Sequence, residues 1–167
     1  MNRFKPCRLV LPAVFLLVSA ARLSAFGVGL QFQGNISSDF DPGIAVTFKL
    51  ESLPLIFAAD WSFSSDSSEI GLAGDVWLVN PELARFSGGS FHFFAGLGFF
   101  AETAFGESRD FAFDAGLRIP LGFNLFLGGR FAEIFVQVVP SFGLEILPSL
   151  GLERPFFPLG AGARLWF

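Results

Sequence analysis

Apolar residues alternate with small or polar residues in eight separate stretches of this chain. In the last stretch, Ala161, Ala163 and Leu165 stand at every second position before Phe167. A period of two is the repeat of a β-strand, and it places each kind of side chain on its own face. The pattern therefore predicts an all-β chain, with strands at 26–34, 43–50, 55–63, 70–79, 90–101, 110–121, 130–144 and 157–167.

The composition restricts where such strands can fold. The chain has 167 residues, enough for one domain, and 52% of them are hydrophobic while only 16% are charged. Its 19 Gly and 10 Pro disfavour long helices. A membrane β-barrel reconciles these numbers, because its outer face meets lipid and its inner face can be polar. We therefore predict an eight-stranded antiparallel up-and-down transmembrane β-barrel.

The first residues have the pattern of a secretory signal peptide. Three basic residues precede the apolar run 9–21, and small residues follow, so that cleavage fits after Ala21 or after Ala25. A single anchor helix is the alternative, but the run is short for a membrane span. We therefore expect a signal peptide at 1–25 and the barrel at 26–167.

Cysteine and charge exclude several kinds of function. Cys7 is the only cysteine and is removed by the expected cleavage, so the remaining chain has no disulfide. That chain keeps 7 basic and 15 acidic residues, a net charge of −8, which disfavours nucleic acid as a partner. We expect no metal site, no cofactor and no enzyme activity. Ser90 and the single His92 do not by themselves make a catalytic triad.

The polar face of the strands predicts what fills the barrel. Eight strands enclose a lumen just wide enough for side chains or for one small ligand. Glycines on this face leave room for long charged side chains. We expect an ion network in the lumen, formed by Lys49, Asp60, Asp75, Asp114, Arg118, Glu133 and Arg164.

Turn positions suggest specific pairs within that network. A turn centred on Leu125 and Phe126 puts Arg118 opposite Glu133, so Glu133 is expected to bridge Arg118 and Arg164. Because a buried charge must be paired, the network is interpreted as a plug, with a gate or selectivity point as the alternative.

A second expected pair joins two carboxylates. A turn centred on Ser67 and Ser68 puts Asp60 opposite Asp75. Two such groups repel, so they are expected to share a proton or to bind a cation, with Lys49 or a water nearby. Catalysis by this pair is a much weaker interpretation, since nothing in the sequence shapes a substrate site around it.

With its alternating last strand, the whole chain after the expected signal peptide resembles small eight-stranded bacterial outer-membrane barrels of the OmpA-barrel, OmpX and OmpW-like kind. The stretches 115–122 and 132–144 also resemble uncharacterised small outer-membrane barrel families, for which no activity is implied. The resemblance implies export to the bacterial outer membrane. It implies as partners outer-membrane lipids and, during biogenesis, the barrel-assembly machinery and periplasmic chaperones. It also implies a C-terminal assembly signal consisting of Leu159, Ala161, Ala163, Leu165 and Phe167.

Three functions remain open at this point. The leading interpretation is an integral outer-membrane protein with a structural or surface role. The alternatives are a narrow channel for small apolar solutes or ions, and a secreted barrel that binds a lipid inside. The last one requires the apolar face of every strand to point inward. The sequence indicates no particular small-molecule ligand.

Overall fold

The computed structural model describes residues 25–35, 42–63, 68–105, 111–152 and 154–167, and the expected signal peptide lies outside them. No helix among these residues is long and apolar enough to cross a membrane. The described chain forms β1 (Phe26–Asn35), β2 (Pro42–Leu50), β3 (Leu55–Phe63), β4 (Ser68–Val79), β5 (Glu82–Phe86), β6 (Gly89–Phe105), β7 (Ala112–Arg118), β8 (Leu121–Leu127), β9 (Ala132–Val138), β10 (Ser141–Leu147), β11 (Gly151–Leu152) and β12 (Pro158–Trp166).

These segments make eight barrel strands. The pairs β4 and β5, β7 and β8, and β9 and β10 are consecutive halves of single strands. β11 pairs antiparallel with β10 and precedes β12 in the last barrel strand, which pairs with β9. All neighbours are antiparallel, and β1 pairs with both β2 and β12, which closes the ring. The predicted all-β fold with eight antiparallel strands in a closed barrel is confirmed.

Two turns lie elsewhere than the sequence suggests. The region 122–129 was expected to turn, but β8 continues through Leu127 and the turn follows it. Gly128, Gly129 and Arg130 there have φ values of 59°, 67° and 78°. Two consecutive glycines adopt this left-handed backbone at no steric cost, which explains why the turn forms at this point.

The second displaced turn follows the fourth barrel strand. The region 80–89 was expected to be a linker, but it contains β5, which pairs with the first residues of β6. A register shift between Trp77 and Val79 on β4 lets the strand continue past Pro81. The turn is thereby moved to 87–88, and the hairpin is longer than expected.

Prolines divide the sixth and seventh barrel strands into halves. Pro120 and Pro140 lack an N–H, so each interrupts the ladder at one donor. Their carbonyls still accept hydrogen bonds, from the backbone N–H of Gly96 at 2.9 Å and of Ile119 at 2.9 Å. Pairing therefore resumes beyond each proline, and each strand crosses the barrel wall in two parts.

The stagger of the strands fixes the width of the barrel. From Val28, pairing runs one way round through Phe48, Phe57 and Gly74 to Phe99. The other way, it runs through Leu165, Ala132 and Leu127 to Gly89. The two paths meet β6 ten residues apart, which is the shear number of the barrel. Eight strands with this stagger tilt by roughly 40° and leave a lumen that side chains can fill.

The apolar face of the strands points outward. Leu30, Leu72 and Leu117 are 68%, 61% and 68% exposed, although each lies within a paired strand. Their strand neighbours on the other face are buried or half-buried, as in the alternation along β1 and β2. The expected orientation of the two faces is confirmed by this exposure pattern.

Candidate functional site

The lower part of the lumen, towards the end where Phe26 and Phe167 pair, contains a fully buried carboxylate. Glu133 is 0% exposed. Its Oε2 accepts hydrogen bonds from Arg164 Nη1 at 2.8 Å and from Trp166 Nε1 at 3.1 Å. Its Oε1 accepts one from Asn124 Nδ2 at 2.9 Å and lies 3.9 Å from Lys49 Nζ. Four side chains therefore meet on one carboxylate, and we call this group the Glu133 cluster.

Strand pairing explains why this cluster forms. Arg164 on β12 and Glu133 on β9 are directly opposite in register, so their inward side chains meet. The Arg164 guanidinium also donates from Nε to Thr47 Oγ1 at 3.3 Å, and its Cζ lies 4.5 Å from the centroid of the Phe135 ring. The arginine thereby connects β12 with β9 and β2 across the lumen.

The second cation of the cluster lies against aromatic rings. Lys49 Nζ is 3.5 Å from the centroid of Trp77 and 5.5 Å from that of Trp166. Trp77 in turn stacks on Phe94, with centroids 4.0 Å apart and ring planes at 10°. Cation–π contact with desolvated rings stabilises an ammonium that has few other partners.

Aromatic side chains fill the remaining space around these ions. Phe94, Phe126 and Phe135 are almost completely buried, and the Phe126 ring lies 6.2 Å from that of Trp166. The sequence interpretation expected a polar network and missed this aromatic part. The signal was available, because all three phenylalanines have the parity of inward residues. Ions and rings together thus occupy the inner face at this level of the described chain.

Glycines on the inner wall make room for the rings. A Cβ on Gly122 would lie 2.6 Å from Cζ of Phe94, and one on Gly162 would lie 2.6 Å from Cζ of Phe135. These distances are far below ordinary van der Waals contact. The absence of a side chain at these two positions is therefore a packing requirement of the closed lumen.

The upper part of the lumen contains a second ion pair. Arg118 Nε lies 3.1 Å from Asp75 Oδ1, without the alignment of a hydrogen bond. The Arg118 and Asp75 side chains are 14% and 7% exposed. Arg118 also acts electrostatically on Asp60, which is hydrogen-bonded to Gln33. One guanidinium therefore serves two carboxylates, and we call this group the Arg118 cluster.

A chain of amides borders the Arg118 cluster. Gln137 Nε2 donates to Gln31 Oε1 at 3.1 Å, and Gln31 Nε2 donates to Gln33 Oε1 at 2.9 Å. These bonds join β9 to two inward positions of β1. These three amides extend the polar lining of the lumen from the Glu133 cluster towards Asp60.

The expected bridge between Arg118 and Glu133 is wrong. Arg118 lies opposite Gly98 and Ser141 in the register. The expected contact of Glu133 with Arg164 is present, but Lys49, not Arg118, is the second cation beside it. The turn after β8 lies further along the chain than assumed, which moves Arg118 up the wall while keeping it on the inner face.

The expected pairing of Asp60 with Asp75 is also wrong. Asp60 lies opposite Gly71, and Asp75 lies opposite Ile56. Arg118 is the cation that acts on both the Asp60 and the Asp75 carboxylate. Lys49, which was expected near them, belongs to the Glu133 cluster instead.

Asp114 lies apart from both clusters in the register. It is opposite Glu102 on β6 and Glu145 on β10, four residues from Arg118 along β7. Of the seven residues expected in the lumen network, three therefore belong to the Glu133 cluster and three to the Arg118 cluster. Asp114 marks the upper end of the same inner face.

A small cavity separates the two clusters. Its volume is about 10 Å³, and its lining includes Asp75, Arg118, Arg164 and Thr47. This is room for about one water molecule. The space between the clusters is therefore too small for a solute to pass while these side chains keep their positions.

The only histidine does not form a catalytic triad. Ser90 Oγ lies 2.9 Å from His92 Nε2, but the nearby Glu82 carboxylate faces the same nitrogen at 3.9 Å. His92 Nδ1 lies 3.4 Å from the backbone oxygen of Asn80. A triad requires its carboxylate on the other nitrogen. Within the described residues, no group of three or more His, Cys, Asp or Glu is arranged to hold a metal ion.

The last strand closes the barrel against the first. Nine consecutive pairs join β12 to β1, from Gly27 with Trp166 to Asn35 with Pro158. Beyond them, Phe26 and Phe167 exchange backbone hydrogen bonds of 3.1 Å and 2.9 Å. The residues of the expected assembly signal, Leu159, Ala161, Ala163, Leu165 and Phe167, are all exposed on the outer face.

Comparison with known proteins finds only distant structural likeness. No protein-family model matches the sequence, and no curated protein does. The chain is similar to Neisserial surface protein A (NspA), with 16% identity, a TM-score of 0.45, and coverage of 86% of this chain and 96% of that one. It is also similar to the N-terminal β-barrel domain of Pseudomonas aeruginosa OprF, with 12% identity, a TM-score of 0.44, and coverage of 86% and 98%.

A third similar structure is a major outer membrane protein from Thermus thermophilus. The identity is 12%, the TM-score is 0.44, and the match covers 87% of this chain and 100% of that one. At such identities and scores, these likenesses indicate nothing about activity or partners.

Proposed function

We propose that this protein is an integral barrel of the bacterial outer membrane with a structural or surface role, and that its lumen is closed. The observation that carries the proposal is the opposite chemistry of the two faces of one closed wall. The outer face is exposed and apolar, whereas the inner face encloses the Glu133 and Arg118 clusters.

The outer face supports a membrane location. Water-soluble monomers rarely expose a contiguous apolar patch of more than a few hundred Å². Here exposed Leu, Ile, Val or Phe side chains lie on every barrel strand. A lipid environment removes the unfavourable contact of such a wall with water, and closure of the barrel leaves no unpaired strand edge in the lipid.

The same wall argues against a secreted lipid carrier. A carrier needs an apolar interior for its ligand and a polar exterior for water. In this barrel the described interior holds two ion clusters and a cavity of about 10 Å³. The closed lumen likewise favours a plug over the alternative of a narrow channel.

Membrane fractionation tests the location. The protein is expected to resist carbonate extraction and to change its gel mobility on heating, as folded membrane barrels do. Leu72→Lys should lower the folded, membrane-bound fraction, because a lysine on the lipid face costs roughly 2–4 kcal/mol near the bilayer midplane. Recovery of the wild-type protein in the soluble fraction would contradict the proposal.

A matched variant controls for the added charge. Leu150 is 81% exposed and lies in the connection between β10 and β11, outside the barrel strands. Leu150→Lys is expected to leave insertion unchanged. Equal loss of insertion in both variants would show that charge alone, not its position on the wall, is responsible.

The end of the chain is proposed to act as a signal for the barrel-assembly machinery, after delivery by periplasmic chaperones. Deletion of Phe167 should lower the folded amount in cells, while purified protein refolded in detergent keeps nearly the same unfolding midpoint. The nine pairs between β1 and β12, from Gly27 to Asn35, do not include Phe167. Its deletion is therefore expected to affect assembly more than stability. Unchanged assembly in cells would contradict the signal.

A further inference from the structure

The outer wall contains one feature that a plain lipid-facing surface lacks. A groove of about 490 Å³ opens on the outer face across β1, β12, β9, β8 and β6. The rest of the described outer wall is interpreted only as a surface in contact with lipid. A groove of this volume falls within the range of roughly 300–1,000 Å³ that is typical of ligand sites.

The register explains the shape of the groove. Phe32, Ala161, Val136, Phe123 and Phe93 form one row of directly opposite residues across five strands. Their side chains point outward, and the two smallest lie between phenylalanines. The row therefore makes a floor of Ala161 and Val136 with a phenylalanine wall on either side.

A second row ends the groove. Leu159, Val138 and Leu121 are directly opposite one another and lie two residues further along the same strands. Gln137 also borders the groove, but its side-chain amide donates to Gln31 inside the barrel. The groove thus presents aliphatic and aromatic side chains to its occupant, with no charged residue among those that line it.

We propose that this groove binds one acyl chain of a membrane lipid. The inference rests on the proposed function, because it requires the outer wall to face the bilayer. A groove that opens into hydrocarbon is reached by bilayer components, and its apolar lining matches a flexible chain of methylene groups. Every methylene buried in such a site contributes about 0.8 kcal/mol relative to water, but little relative to lipid, so shape decides the preference.

The shape disfavours a second copy of the chain as the occupant. A two-fold contact places the same surface against itself. The walls formed by Phe32 and Phe123 would then meet each other before the floor at Ala161 came into contact. The floor would stay unfilled, and close packing would be lost. A narrow chain fits between the walls without this difficulty.

Photo-crosslinking tests the inference on the full chain. The protein is inserted into phosphatidylethanolamine and phosphatidylglycerol vesicles that contain a phosphatidylethanolamine with a diazirine on one acyl chain. After irradiation, labelled residues are located by mass spectrometry. Labelling is expected to concentrate on Ala161, Val136 and Phe123, relative to the outward residues Leu72 on β4 and Phe57 on β3, two strands that do not line the groove.

A pair of variants identifies the groove as the cause. Ala161→Phe fills the floor and should abolish the excess labelling of Val136 and Phe123. Ala163→Phe is the matched control, because Ala163 lies on the same face of β12, opposite Leu30 and Ile134 and outside the groove. That variant should keep the excess. Both changes are apolar and outward, so both should leave membrane insertion intact.

The outcomes separate this inference from the proposed function. Even labelling of all outward residues would overturn the groove as a lipid site while leaving the membrane location intact. An absence of labelling on every outward residue would contradict the membrane location itself. A dimer of the purified wild-type protein in detergent, measured by light scattering and lost in Ala161→Phe, would identify a second copy as the occupant and overturn the proposal.

Discussion

The two ion clusters of the lumen use similar residues in different surroundings. Glu133 is fully buried, accepts three hydrogen bonds and lies among rings that fill the lumen. The Arg118 and Asp75 side chains are 14% and 7% exposed, and their contact lacks hydrogen-bond alignment. The comparison indicates that the lower cluster closes the lumen by packing, whereas the upper cluster is an adaptable polar lining.

Removal of the central carboxylate should have the largest effect. Glu133→Ala leaves Arg164 and Lys49 buried without their carboxylate. Breaking a buried pair in this way costs roughly 3–5 kcal/mol. The expected result is a loss of that size in the free energy of unfolding, measured by urea titration of the refolded barrel with the gel-mobility change as the readout.

A conservative variant shows whether charge or hydrogen bonding matters at this position. Glu133→Gln keeps two polar atoms at nearly the same places but removes the charge. We expect a smaller loss than for Glu133→Ala. If both variants unfold at the wild-type urea concentration, the Glu133 cluster does not hold the lower lumen together.

Loss of the upper cation should have an intermediate effect. Arg118→Met removes the guanidinium partner of Asp75 while keeping an unbranched apolar stem. A hydrogen bond to a charged group contributes about 1.5–3 kcal/mol, and the missing hydrogen-bond alignment of this pair places it at the lower end. The same urea titration measures it. A loss as large as that of Glu133→Ala would remove the distinction between the two clusters.

Two glycine variants compare how tightly side chains are packed in the lower and in the upper part of the lumen. A Cβ at position 122 would meet the backbone oxygen of Val136 and the buried Phe94 ring, whereas one at position 71 would meet the Asp60 carboxylate at 2.7 Å. Neither the backbone nor the ring has free space, so Gly122→Ala should destabilise by about 1–3 kcal/mol. The half-buried Asp60 can rotate away, so Gly71→Ala should have the smallest effect. Equal losses would contradict the proposed difference in packing.

The alternation of the sequence determined which face each residue occupies, but not which residues meet. Glu133 and Arg118 were assigned correctly to the inner face. A slip of two residues keeps every side chain on its face, so parity cannot detect it. The expected partner of Arg118 was therefore wrong by eight residues along the seventh strand, while its face was right.

Turn signals misplaced the strand ends for physical reasons. Pro81 and Pro120 were expected to lie in or near a boundary, but their carbonyls still accept hydrogen bonds and the strands continue beyond them. The aromatic filling was missed because Phe94 and Phe126 were treated as exceptions or turn residues. Inside a lumen lined with glycine, a large ring is a filler, and this role depends on the neighbouring strand.

Ion conductance in planar lipid bilayers distinguishes a membrane barrel with a closed lumen from an open one. The purified wild-type protein is measured, with incorporation verified by the heat-dependent gel mobility of recovered protein. A closed lumen gives no conductance steps from the inserted protein. Reproducible single-channel steps of uniform size would contradict it and would favour the narrow channel.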